Sequence, residues 1–98
     1  MAVHVLALTV DLPLPHSSSL KDKRAVVKTI TEGARRRFQV AAAETDHQDQ
    51  RQRAELAFAA VSSSATQVTE VVDGLERFVW SFPEVEVLDV RRDWLERD

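Results

Sequence analysis

Between Ser19 and Phe38 the chain reads SLKDKRAVVKTITEGARRRF. Leu20, Val27, Ile30, Ala34 and Phe38 recur at helical spacing, so they form one apolar stripe on an amphipathic helix. Ser19 stands where an N-cap belongs, because its side-chain oxygen can accept from a free backbone N–H of the first turn. Asp22, three residues on, is a shortened capping-box acid. A helix with one dry side needs a second layer to cover it, and the rest of the chain must supply that layer.

The outer face of this helix is basic. It carries Lys21, Lys23, Arg24, Lys28, Arg35, Arg36 and Arg37 against only Asp22 and Glu32, a local charge of plus five. The remainder has six basic and fourteen acidic residues, so the total of −3 conceals a polar distribution. Arg35, Arg36 and Arg37 fall in the last turn, where the helix dipole favours cations. Lys21, Lys23 and Arg24 fall in the first turns, where it does not. A helix start with added cations suits an anion such as a phosphate. The plainer account is a solvated face whose lysine stems cover apolar surface.

Val3 to Leu12 alternates, with Leu6, Leu8, Val10 and Leu12 on one side and Val3, Val5, Ala7, Thr9 and Asp11 on the other. Period two over this length is a strand, and Pro13 and Pro15 end it. His16 lies in the loop before the helix, where surface exposure is the simple reading. After Phe38, Gln39 to Thr45 is short and apolar and reads as a second strand. Asp46 to Arg53, DHQDQRQR, is a polar hairpin connection. Ala54 to Ser62 alternates again as a third strand. Ser64 and Gln67 form a capping box, and Val68, Val71, Val72, Leu75, Phe78, Val79 and Phe82 follow at helical spacing up to Pro83. Val85 to Val90 reads as a fourth strand, although both of its parities hold apolar residues. Arg91 to Asp98 is then a charged tail in which Trp94 and Leu95 fold back as an anchor.

Strand, helix, strand, strand, helix, strand is the split βαβ order of an α+β, ferredoxin-like βαββαβ sandwich in one domain over residues 1–98. Both helices should cover one side of a four-stranded, antiparallel-type sheet, with strands one and three in the centre and parallel to each other. The other side would expose Val3, Val5, Ala7, Ala57, Ala59 and Val61. A floor so poor in charge is a candidate self-association face, and a homo-oligomer is the expectation.

Three segments together resemble the YlxP-like family of small bacterial proteins. They are SLKDKRAVVKTI from Ser19 to Ile30, AETDHQDQRQRAELAFAAVS from Ala43 to Ser62, and FPEVEVLDVRRDWL from Phe82 to Leu95. The resemblance implies a ferredoxin-like domain and a cytoplasmic bacterial protein. It implies no activity, because the family is a domain of unknown function and has no established catalytic residues. Its genes often neighbour translation-initiation and ribosome-maturation genes, which implies work near the ribosome. The family pattern usually has an aromatic residue, often tryptophan, where this chain has Arg51.

The chemistry available from side chains is narrow. There is no cysteine, so disulfides, thiolate metal sites and cysteine nucleophiles are excluded. No apolar run approaches a membrane span, and the start MAVHVLALTVDLP lacks the marks of a secretory leader. The only glycines, Gly33 and Gly74, fall inside helices, so no glycine-rich phosphate loop exists. The serine runs sit at helix starts, where capping explains them. Asp46, His47, Gln48, Asp49 and Gln52 make the densest polar constellation. Turn chemistry accounts for it more simply than the metal-dependent hydrolase it could otherwise suggest, and Arg53 could pair with Asp49 to hold its shape. No enzyme, cofactor or resident metal is therefore expected. The class best supported is a binding or scaffolding protein. Its candidate contacts for an anion, ribosomal RNA or a translation-machinery protein are Lys21, Lys23, Arg24, Lys28, Arg51 and Arg53. The alternative is a structural homo-oligomer with no nucleic-acid role.

Overall fold

The computed structural model describes residues 2–95. Strand β1 spans His4–Pro13, and its alternation is realised side by side with burial: Leu6, Leu8, Val10 and Leu12 are each about one per cent exposed. Each such leucine contributes roughly 1.5–3 kcal/mol by leaving water. Helix α1 spans Leu20–Phe38. Its start is built as the sequence indicates: the Asp22 N–H donates to Ser19 Oγ at 3.0 Å. The Asp22 carboxylate reaches back to the Ser18 N–H at 3.3 Å and to the Ser18 hydroxyl. The helix stops because Gln39 takes a left-handed conformation (φ 55°, ψ 46°) while its N–H still bonds the Arg35 carbonyl. That turn delivers Val40 into the core and starts strand β2, Ala41–Asp46.

Strand β3 spans Arg53–Ser62, helix α2 Ala65–Trp80 and strand β4 Asp89–Trp94. The Gln67 N–H donates to Ser64 Oγ at 3.2 Å, as a capping residue requires. The α2 stripe of Val68, Val72, Leu75 and Val79 is fully buried, and Phe82 lies just past the helix end. The sheet order is β2-β3-β1-β4, with every neighbouring pair antiparallel. This is the α+β ferredoxin-like arrangement. Helix α2 lies over β1 and β3, and α1 lies over β2.

Two expectations are corrected. β1 and β3 are central, but they run antiparallel, with Leu8 opposite Phe58. The crossover through α1 makes β1 and β2 run the same way, and a hairpin return from β2 then opposes β1. The fourth strand is not Val85–Val90. Glu86 and Leu88 donate to the Pro13 and Asp11 carbonyls as an irregular approach, and the regular ladder begins only at Asp89. The first half of the supposed charged tail, Arg91 to Trp94, is thus an edge strand, carried along β1 until the Leu95 N–H meets the Val5 carbonyl at 3.0 Å. Trp94 stands opposite Leu6 and is 45% exposed, so it is a partial cover and not a buried anchor. Residues 96–98 of that tail lie outside the described residues.

Candidate nucleic-acid interface

Helical geometry separates the cations of α1 by face. Lys21, Arg24, Lys28 and Arg35 fall within about 60° of one another around the axis and span about 21 Å along it. All four are exposed. Among the described residues, none of them forms an ion pair with a carboxylate. Arg35 also donates to the Ala42 carbonyl, which fixes the end of the ridge against the edge strand β2. Glu32 is the single carboxylate on this ridge, and Arg36 flanks it.

Lys23 belongs to a different face. It falls seven and eleven residues before Ile30 and Ala34, on the apolar stripe itself, and its side chain is wholly buried. Its ammonium donates to the carbonyls of His47 at 2.6 Å and Gln48 at 3.3 Å, and lies 2.6 Å from Glu44 Oε2. That carboxylate oxygen is itself buried, and the ammonium is the charge that compensates it. Lys23 is therefore withdrawn as an anion contact: it holds the β2–β3 loop against α1. With Lys23 committed inward, the helix start keeps only Lys21 and Arg24 as cations that could meet an anion. The neighbouring cleft of about 320 Å³ has an apolar floor of Leu14, Val26 and Pro83 with Asp22 and Glu84 on its wall, which disfavours an anion further. The Ser18 hydroxyl bonded to Asp22 holds that carboxyl below the usual range, so the negative charge persists.

Arg53 is likewise corrected. It forms a two-pronged pair with Asp11, Nε to Oδ1 at 3.0 Å and Nη2 to Oδ2 at 2.6 Å, and does not pair with Asp49. The pair sits on the open side of the sheet, and the Arg53 hydrogen bond pulls the Asp11 carboxyl below its ordinary value. Arg51 is exposed in the hairpin turn, apart from this pair.

The loop constellation is spent on its own backbone. The Asp46 carboxylate accepts from the His47 N–H at 2.7 Å, which stabilises the positive φ of 62° at His47. Gln50 closes the turn by donating its N–H to the His47 carbonyl at 2.9 Å. Gln52 Nε2 donates to the Ser17 carbonyl at 3.2 Å, tying the hairpin to the β1–α1 loop. The Gln48 amide leans on the Glu44 carbonyl at 3.5 Å, and Asp49 is exposed. Among the described residues no three histidine or carboxylate side chains converge as a metal site would need. No helix among them is long and apolar enough to cross a membrane.

The open side of the sheet is as the alternation indicates. Val3 and Val61 are 51% and 68% exposed, while Val5, Ala7, Ala57 and Ala59 are half-buried by their sheet neighbours. Ala41 and Ala43 of β2 extend the same floor, and a shallow depression of about 250 Å³ lies among these alanines.

Residues 5–92 match the family described as "Protein of unknown function (DUF503)". The chain belongs to that family. It is also similar to the "Uncharacterized protein YlxP" of Bacillus subtilis (strain 168), with 40% identity over 78 residues, 80% of this chain and 85% of that protein. The match to DUF503 takes in both helices, the β2–β3 hairpin and all but the last two residues of β4. The ridge on α1 and the Lys23–Glu44 contact both lie within it.

Proposed function

We propose that this DUF503 chain is a non-catalytic binding protein that docks on the phosphate backbone of RNA in or near the translation machinery. The observation that carries this reading is the ridge of Lys21, Arg24, Lys28 and Arg35: exposed, aligned and free of carboxylate partners among the described residues, on a chain whose net charge is −3. An acidic protein that lines up four unpaired cations on one ridge concentrates its attraction for a polyanion there. The YlxP-like resemblance, with its genes near those of ribosome maturation, supports RNA as that polyanion. Binding through phosphates carries little sequence preference and depends steeply on salt.

Fluorescence anisotropy of a labelled single-stranded ribosomal RNA fragment tests this at several salt concentrations. Four phosphate contacts predict a slope of log affinity against log salt of about −3. Replacing Lys21, Arg24 and Lys28 together by alanine should flatten that slope by about two units. Equal affinity and slope for the variant and the wild type would remove the reading.

A second reading, self-association through the sheet floor, is favoured by one feature. The floor carries both a hollow lined by short alanines and protruding valines, Val3 and Val61, on the same surface. A two-fold interface needs such self-complementarity on one patch. Light scattering over a concentration series should then give a mass above that of one chain, and Ala59→Asp should return it to the monomer. A monomer at every concentration contradicts this reading.

A further inference from the structure

The basic ridge ends at Arg35, on the β2 side of α1. Helical geometry puts Arg37 on the opposite side of the helix, with Arg36 midway between them on the exposed face. There Arg37 borders a cleft of about 420 Å³ between the two helices, lined also by Phe38, Gly74, Arg77, Phe78 and Ser81. The wall contains two guanidinium groups and two aromatic rings, and no carboxylate. Gly74 keeps α2 close here: a methyl group in its place would meet the Phe38 ring edge at 3.0 Å. Phe38, Phe78 and Phe82 form an edge-to-face chain, with centroid separations of 5.7 and 5.1 Å.

The guanidinium of Arg37 lies over this chain, 5.1 Å from the Phe78 centroid and 5.9 Å from that of Phe38. Attraction between the cation and the ring quadrupoles holds an otherwise mobile side chain in place. Arg37 is exposed, so its planar guanidinium is accessible to a ligand. Unpaired bases stack on such planes as they do on aromatic rings, and they do so with little regard to identity.

We propose that Arg37, laid over Phe78 and Phe38, is the stacking platform for one unpaired base of an RNA strand that leaves the α1 ridge and crosses the exposed end of the helix past Arg36, with Arg77 across the cleft to meet the adjoining phosphate. This rests on the phosphate-ridge reading and adds to it a preference for single strands. A base within a duplex has no free face to offer.

The test compares three probes of equal phosphate number: a short poly-uridine strand, a strand of the same length lacking bases, and a duplex. Wild-type protein should bind the base-bearing strand about tenfold more tightly than the other two, the gain expected of one stacked base. Arg37→Lys keeps the charge but not the plane. It should abolish that preference while leaving the affinity for the abasic strand, and its salt slope, unchanged. Gly74→Ala, which crowds the Phe38 ring, should weaken the base-bearing strand alone. Equal wild-type affinity for the three probes, or a preference that survives in Arg37→Lys, overturns the platform and leaves the ridge standing. Failure to bind any of the three removes both.

Discussion

Lys23 shows how one side chain can be misassigned by its type and placed correctly by its phase. Its charge groups it with Lys21 and Arg24, but its position seven residues before Ile30 puts it on the dry stripe. That spacing, together with Glu44 in the facing strand, was the available signal. Only the fold shows that the two meet. Lys23→Met should destabilise the protein by about 3 kcal/mol, because it leaves the Glu44 carboxylate buried without its counter-charge. Urea unfolding reads this directly, and a change below about 1 kcal/mol would mean that the pair is not what holds the loop. The Asp11–Arg53 pair makes a different prediction. The Asp11 carboxyl titrates lower in the folded state than its ordinary 3.8, chiefly through the Arg53 hydrogen bond. Its stabilisation is therefore complete above that value and is lost as pH falls through the lowered one. Asp11→Asn should lower the urea midpoint at neutral pH and match wild type in strong acid. The difference should be small, because Arg53 is 42% exposed and solvent screens the pair.

The elements were legible where one face is dry and the other wet. β1, β3 and α2 all carry that contrast, and their residues fall where the periodicity puts them. β4 does not carry it. It is an edge strand whose Arg92 turns toward α2 to pair with Asp73 and Glu76, while Arg91 and Asp93 share the parity of the open floor. A strand with charges on both parities looks like a tail, and the apolar residues just before it look like the strand. The helix pair was equally hidden, because periodicity shows each stripe but not which turns meet. Gly33 marks one such meeting. A methyl group there would stand 2.7 Å from Phe78 Cζ, and Phe78 is wedged between Phe38 and Phe82. Alanine is the better helix former by about 1 kcal/mol, but the overpacking costs about 1–3 kcal/mol. Gly33→Ala should thus lower stability by about 1 kcal/mol, measured by thermal or urea unfolding. A more stable variant would show that the ring yields freely.

Across the whole molecule, the basic ridge and the bare floor are segregated. The outside of α1 carries the ridge, and the far side of the sheet carries the alanine floor, with the Asp11–Arg53 pair, Arg91 and Asp93 around it. A polyanion on one side and a second copy on the other would not compete for surface. Binding of RNA and the mass seen by light scattering should then vary independently, and the triple alanine variant of the ridge should leave the oligomeric state unchanged. Loss of both properties in that variant would show that the two surfaces are coupled. The family relationship neither requires nor opposes this division of labour. It was legible in the sequence only as far as residues could be assigned to faces, which is why the floor was foreseen and the arginine–phenylalanine cleft was not.

The backbone bond from Leu95 to Val5 has a mechanical meaning. It joins the beginning of one central strand to the finish of the outermost one, and these strands run in opposite senses. A tug applied through Val3 and Leu95 would load the rungs between them singly, starting at that bond, like peeling tape from its free corner. An unfolding motor whose pull reaches the fold through Leu95 would meet little resistance before β4 came away and uncovered the flank of β1.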